Sequence, residues 1–219
     1  MAQQARAIQT RRSILVAAAA VFDERGYSSA TISEILARAG VTKGALYFHF
    51  SSKEDLALGV MDVQLDSSPL PQLTKLQELV DQGMLLAYRL RHEPLVRASV
   101  GLAMDQAVEG LDRGTPFRAW IDRLEHLLNA AKDQGELLPH VDPRETAEML
   151  AGSFSGIQVM SQALCKREDL GHRISVLLHF VLPSISTPAV LTTLDMAEDR
   201  GERLSEALEA VPSQAGAAD

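Results

Sequence analysis

The stretch from Thr31 to Asp55, TISEILARAGVTKGALYFHFSSKED, constrains the fold of this chain more than any other. Thr31 is followed three residues later by Glu34, the spacing at which a threonine hydroxyl and a glutamate carboxylate satisfy each other's free amides at a helix start. Ile32, Ile35 and Leu36 give that helix one apolar face, and Gly40 ends it with the residue that best tolerates a left-handed backbone. Thr42 then caps a second short helix of about two turns, in which Leu46 and Phe50, four apart, point inward. Lys43, Gly44 and Tyr47 fall on the other side. Ser51 opens a further helix, again with a glutamate, Glu54, at capping-box distance. Two short helices hinged on a glycine, the second with a polar outer face, read as a helix-turn-helix.

The rest of the chain has helical periodicity and lacks the alternating runs and hairpin turns of strands. A first helix is expected from about Gln9 to Arg25, with Ile14, Ala17, Val21 and Phe22 on one face and Gly26 after its end. The helix that opens at Ser51 continues towards Gln64 as a connector. The segment Asp66 to Gln72 breaks the pattern with two serines, Ser67 and Ser68, and two prolines, Pro69 and Pro71. Beyond it we expect helices at about Leu73–His92, Pro94–Val108, Pro116–Gln134, Pro143–Leu164 and Leu170–Ile185, and a last one at about Pro188–Leu208. Thr115, Asp142 and Thr187 each precede a proline, a helix-start signature. Val211 to Asp219 reads as a frayed tail. The fold class is therefore all-α. Residues 1–55 form a three-helix helix-turn-helix domain, and residues 56–219 a helical body.

Charge supports this division. The chain has a formal net charge of −8, which by itself argues against nucleic acid. Residues 1–55, however, carry seven lysines and arginines against five acids, net +2, and the remainder carries fourteen against twenty-four, net −10. A weakly basic head on an acidic body suits local phosphate contact better than a diffuse coating of DNA. The single cysteine, Cys165, allows no intrachain disulfide and fits a reducing compartment. No apolar run approaches the ~20 residues that span a bilayer, so a cytoplasmic protein without a membrane partner is expected.

The helix-turn-helix assigns its own chemistry. A reading helix enters the major groove N-terminus first. Gly44 removes a side chain there, so a base edge can come close, and Lys43 is a donor for guanine or phosphate. Tyr47 and His49 carry donors on flat bodies suited to phosphates. Thr31 and Ser33 sit at the start of the preceding helix, where free amides and the dipole favour an anion. Thr42 and Lys53 complete the expected phosphate contacts. The plainer reading is that Tyr47, Phe48 and His49 are the aromatic core of a small bundle. Leu46 and Phe50 already fill that role, and a lysine beside a glycine in a first helical turn has no packing purpose. DNA binding is the better account.

These residues resemble the TetR family of bacterial one-component repressors. The family's signature ends in a glycine, a leucine-tyrosine pair, x-His-Phe and a Lys-Glu/Asp-x-Leu helix start. The matching residues here are Gly44, Leu46-Tyr47, His49-Phe50 and Lys53-Glu54-Asp55-Leu56. The form VTKGALYFHFSSKEDLA is similar to the γ-butyrolactone autoregulator receptors of antibiotic-producing actinobacteria. That likeness continues in GLDRGTPFRAW, GELLPHVD and SFSGIQVMSQ. The resemblance implies a homodimer that occupies a double-stranded DNA operator and lets go when a small γ-butyrolactone-like signal enters the body. It implies no enzyme activity, cofactor or metal.

A switch of this kind needs a body that pairs two heads and holds a pocket. For pairing, Gly152 and Gly156 lie four apart on one helix, and Val176, Leu177, Phe180 and Val181 make the next helix apolar over a wide arc. Monomer core and pocket wall are the competing readings of the glycines. Trp120 lies on a stripe with Phe117, Ile121, Leu124, Leu127 and Leu128, which on its own reads as core. The resemblance instead places it in the signal pocket, where a tryptophan occupies the matching position. Gln158 and Ser161 are polar residues in an apolar run and need partners when buried, a ligand carbonyl or hydroxyl among them. Gln64 sits where a ligand contact would reach the connector, with a solvated surface residue as the alternative. Leu85, Tyr88 and Phe154 supply apolar wall, with Met84, Val96, Val100 and Met104.

The six histidines lack metal-ligand spacing, and no phosphate-cradling loop or carboxylate pair suggests catalysis. Three rivals follow. One is a related regulator that senses an antibiotic or its intermediate. Another is a helical enzyme or ligand carrier with a structural head. The last is an architectural DNA binder without a sensor.

Overall fold

The computed structural model describes residues 2–63, 70–104, 112 and 114–210. Among them are eleven helices: α1 (Ala2–Arg25), α2 (Ile32–Ala39), α3 (Lys43–His49), α4 (Lys53–Asp62), α5 (Lys75–His92), α6 (Pro94–Met104), α7 (Gly114–Asp133), α8 (Pro143–Cys165), α9 (Leu170–Ile185), α10 (Pro188–Leu191) and α11 (Arg200–Ala210). The only β pairing among the described residues is an isolated bridge between Leu137 and Ser186, so the fold is all-α. The expected tail from Val211, Gln64, Asp66 and the end of the helix begun at Pro94 lie outside the described residues.

The chain forms two compact units, Met1–Asp66 with Glu93–Arg118, and Ser67–His92 with Ala119–Asp219. In the first, α1 packs on α2, α3, α4 and α6. Ile14, Ile35, Leu46, Leu56 and Met61 are its fully buried large side chains, the residues that the 3.6-residue period puts inside. Ser99 of α6 donates its hydroxyl to the Met61 carbonyl at 2.8 Å, fixing the end of α4. In the second unit α5 packs on α9 and α11, and α8 on α9. Leu76, Met84 and Leu90 of α5 meet a core that includes Leu128, Ile174 and Leu182.

The caps explain where helices begin and where the expected bounds shift. Helix α1 starts seven residues before Gln9, since nothing in the preceding stretch breaks it. Ser52, and not Ser51, caps α4. Its hydroxyl accepts from the Asp55 amide at 3.1 Å, while the Ser51 amide and hydroxyl donate to the Asp55 carboxylate. Asp112, two residues before Gly114, accepts that glycine's amide at 3.0 Å and starts α7 ahead of Thr115-Pro116. The expected Pro188–Leu208 helix is broken in two. The hydroxyls of Thr192 and Thr193 turn back to the carbonyls of Ala189 and Val190. The Asp195 amide goes to Gln77 of α5 at 2.7 Å, so tertiary bonds outcompete the helix there.

Candidate DNA-reading face and ligand-sensing body

The turn between α2 and α3 is built as its residues dictate. The Thr31 amide and hydroxyl donate to Glu34 Oε2 at 3.0 and 2.8 Å, and the Glu34 amide returns to Thr31 Oγ1 at 3.2 Å. These bonds hold the Glu34 carboxyl below its usual range. Gly40 has φ +65°, the left-handed cap. Thr42 Oγ1 accepts from the Ala45 amide at 3.2 Å, setting the first turn of α3. Arg38 grips Glu24 with two bonds of 2.7 and 2.9 Å, tying α2 to α1.

Helix α3 divides by phase. Leu46 and Phe50 are buried; Lys43, Gly44, Tyr47 and Phe48 are exposed. The Lys43 ammonium lies 5.8 Å from the Tyr47 ring, one turn on. Gly44 has an ordinary φ, and a Cβ placed on it meets nothing within 4 Å. The protein's own packing therefore does not require this glycine. His49 is half-buried between Phe48 and Phe50, with ring centroids 5.1 and 6.5 Å away. Thr31, Ser33 and Thr42 are exposed. Lys53 is held by the loop before α2, its ammonium 4.5 Å over the Tyr27 ring and 3.4 Å from the Ser28 carbonyl. Tyr27 also bonds Glu54, and burial together with that carboxylate pushes its phenol up to about 12.

Phe48, at 80% exposure, is the residue that sequence reasoning did not single out. Helical phase contained the signal, since two residues at ~100° each place it roughly opposite the buried Leu46. A phenylalanine held out to solvent offers an apolar contact, such as a thymine methyl or a sugar, where Tyr47 offers a donor.

The body's candidates fall in several places. Leu85 is buried in α5, and Trp120 and Phe154 are half-buried in α7 and α8. The Arg123 guanidinium lies 5.8 Å from the Trp120 ring centroid. Tyr88 stacks on His92 at 4.1 Å. It lines a cleft of about 230 Å³ facing Glu198 and Gly201, and of the other described ligand candidates only Met84 lines that cleft. Gln158 and Ser161 are buried, and protein groups supply partners to both. Gln158 Oε1 accepts from Arg167 at 2.9 and 3.2 Å, and the Ser161 hydroxyl donates to Asp169 at 2.6 Å. A ligand on either residue would have to share or replace one of these bonds. Arg173 and Ser161 together hold the Asp169 carboxyl far below its usual range.

On α8 and α9 a second surface stands open. Gly152 and Gly156 are exposed, and a Cβ on either meets nothing within 4 Å. Met149, Val159, Met160, Val176 and Phe180 are also exposed, Phe180 at 80%. The glycines are therefore not monomer core. No helix among the described residues is long and apolar enough to cross a membrane.

Residues 14–60 match the family described as bacterial regulatory proteins, tetR family. The A-factor receptor protein of Streptomyces griseus is 45% identical over 194 residues, covering 87% of this chain and 69% of that protein. The chain belongs to the TetR family. A crystal structure of full-length TylP, a TetR regulator from Streptomyces fradiae, superposes with a TM-score of 0.87 at 45% identity, covering 92% of this chain and 98% of that one. A γ-butyrolactone receptor described as ArpA-like gives 0.62 at 29% identity, covering 92% and 98%. This TetR-family chain has strong homology to the A-factor receptor branch and is a ligand-responsive transcriptional regulator.

Proposed function

We propose that two copies of this chain form a cytoplasmic repressor that holds a pseudopalindromic operator and is released by a γ-butyrolactone, or a related butenolide or furan. The observation that carries the DNA-reading part is Gly44. It is exposed beside Lys43 and Tyr47, and the protein's own packing has no need of its missing side chain. An empty place on a reading helix is explained by something that approaches from outside. Thr31, Ser33, Thr42, His49 and Lys53 flank it as phosphate contacts, and residues 1–55 carry this task. Residues 56–219 carry sensing and pairing. This is a division by task, whereas the two compact units follow packing.

The open face of α8 and α9 pairs the protomers, with Gly152 and Gly156 allowing close helix approach. The names of the A-factor receptor and of the γ-butyrolactone receptor support the choice of signal. Trp120, Leu85, Tyr88, Phe154, Gln158 and Ser161 line its site, and Gln64 relays its presence to α4. The signal binds better to the state whose heads are wrongly spaced, and that difference in affinity shifts the population off the DNA.

Two substitutions divide the tasks. In a gel shift on fragments of the adjacent promoter, Tyr47→Ala should weaken binding at least ~10-fold, the loss of one or two charge-assisted contacts, with unchanged helical circular dichroism. Trp120→Ala should keep the shift but no longer release it when a γ-butyrolactone is added. A normal release by Trp120→Ala would remove that residue from the signal site. Wild-type protein that ignores every lactone but releases with an antibiotic would favour the rival signal.

A further inference from the structure

The excess positive charge of the head does not lie in its helix-turn-helix. Residues 1–22 carry three arginines, Arg6, Arg11 and Arg12, and no acid, whereas residues 23–55 carry four lysines and arginines against five acids. The basic excess therefore sits on α1, to which the functions above assign nothing. No carboxylate of α1 pairs with these arginines, since the first one, Asp23, lies about three turns beyond Arg12. Elsewhere in the head the cations are engaged. Arg38 gives two bonds to Glu24, Arg25 lies 3.9 Å from Glu34, and Lys53 is held by the Tyr27 ring and the Ser28 carbonyl. Lys43 is the donor already assigned to the bases. Arg11 and Arg12 are exposed, and neither joins an ion pair among the described residues.

Their places bracket the reading helix. Arg11 falls on the core-facing stripe of α1, one turn before the buried Leu15, and its guanidinium lies 5.2 Å from the Phe50 ring centroid. Phe50 is the C-cap of α3. Attraction to a ring face fixes a guanidinium without spending its five N–H donors. Arg12 points about 100° away round α1. It lines a groove of about 400 Å³ with Arg38 and Ala39 at the end of α2, just before Gly40 and the turn into α3. No described acid lines this groove, and Glu24 already answers Arg38, so Arg12 sets its sign. The seven residues of α3 make a helix about 10 Å long, close to the ~12 Å width of the major groove. Cations beside its two ends therefore lie towards the sugar–phosphate walls.

We propose that Arg11 and Arg12 of α1 are phosphate contacts, clamping the operator backbone on either side of the bases that α3 reads. The proposal rests on the DNA-reading role of α3 and gives α1 the electrostatic part of that task. Such contacts add affinity and fix register but carry no sequence information. The competing occupant of this basic face is the body of a second copy, whose residues 56–219 carry net −10.

The test is fluorescence anisotropy of the full-length protein at several salt concentrations, on a labelled fragment of the adjacent promoter and on an unrelated duplex of equal length. Arg11→Gln with Arg12→Gln should flatten the plot of log K against log[salt] by about 3–4, at ~0.9 for each of four phosphates lost from a dimer. Affinity should fall at least ~10-fold on both duplexes, leaving their ratio within ~2-fold of the parent. Lys43→Ala should instead lower that ratio. Arg11→Lys with Arg12→Lys should keep most of the slope, which a merely structural role of the two arginines would not predict. An unchanged slope in the glutamine variant, a loss confined to the promoter fragment, or a lysine variant as flat as the glutamine one would each overturn the proposal. So would a glutamine variant that loses only a second bound dimer, with the slope for the first unchanged, since that assigns the face to the acidic body. In all of these outcomes the wild type binds the promoter fragment. A wild type that binds no fragment would instead overturn the DNA-reading role of α3, and this proposal with it.

Discussion

Phe180→Glu is expected to give a folded monomer whose affinity for a two-fold operator falls at least ~100-fold. Phe180 is 80% exposed on α9 beside exposed Val176, and α8 adds Met149, Val159 and Met160. Between these lie Gly152 and Gly156, which leave α8 without side chains where a partner helix would cross. On a free monomer a glutamate at an exposed position changes stability by only a few tenths of a kcal/mol. In a pairing face it must be buried without a partner, at several kcal/mol per copy. The loss reaches the DNA because one short reading helix contacts few bases. Joining two heads adds ~10²- to 10⁴-fold through effective concentration. Light scattering should give the mass of one chain, and a gel shift should show the loss, with a melting temperature near that of the parent. A Phe180→Glu chain that stays dimeric would place the pairing face elsewhere.

How far the sequence reveals this depends on the range over which each feature is decided. Thr31, Glu34, Gly40 and Thr42 act within four residues of themselves, and their caps are legible directly. Ser51 and Ser52 are adjacent candidates, and the choice of Ser52 follows from Asp55, not from the expected Glu54. The break after α10 is not local, since it depends on Gln77, 118 residues away from Asp195. Likewise Glu136, buried at 3%, caps α5 across the fold by accepting the Lys75 and Leu76 amides at 2.8 Å. A lone glutamate after Gly135 gives no hint of this role. Gln158 and Ser161 are recognisable as buried polar groups, but their partners are not. Arg167 and Asp169 come within reach only because Lys166 and Arg167 take positive φ, +54° and +67°, with no glycine to announce the turn. In the candidate site, Lys43, Gly44 and Tyr47 stand out by residue type, whereas Phe48 needs its helical phase.

The largest stability effect is expected from Asp81→Ala, about 3–5 kcal/mol. Asp81 is fully buried in α5 and receives two bonds from the Arg200 guanidinium of α11, at 2.8 and 2.7 Å. The amide of Gln77 adds a third at 2.7 Å. Removing the carboxylate leaves the largely buried Arg200 only a 3.4 Å contact to the Asp195 carboxylate and the Gln77 amide only a 3.2 Å bond to the Asp195 carbonyl, and that poorly compensated burial sets the cost. The pair lies beside a tight contact between the two helices. A Cβ on Gly201 would overlap the Met84 carbonyl and come within 2.9 Å of the Tyr88 Cβ, so no side chain cushions this contact. In thermal unfolding Asp81→Ala should lower Tm by about 10 °C for a chain of this size. Asp81→Leu with Arg200→Met should recover most of the loss, because two apolar groups remove the charge that one deletion strands. A double variant as unstable as the single one would mean that the ion pair is itself the net source of stability. A single variant within ~1 kcal/mol of the parent would mean that α11 is held to α5 by its apolar contacts alone, with Leu204 as the buried anchor.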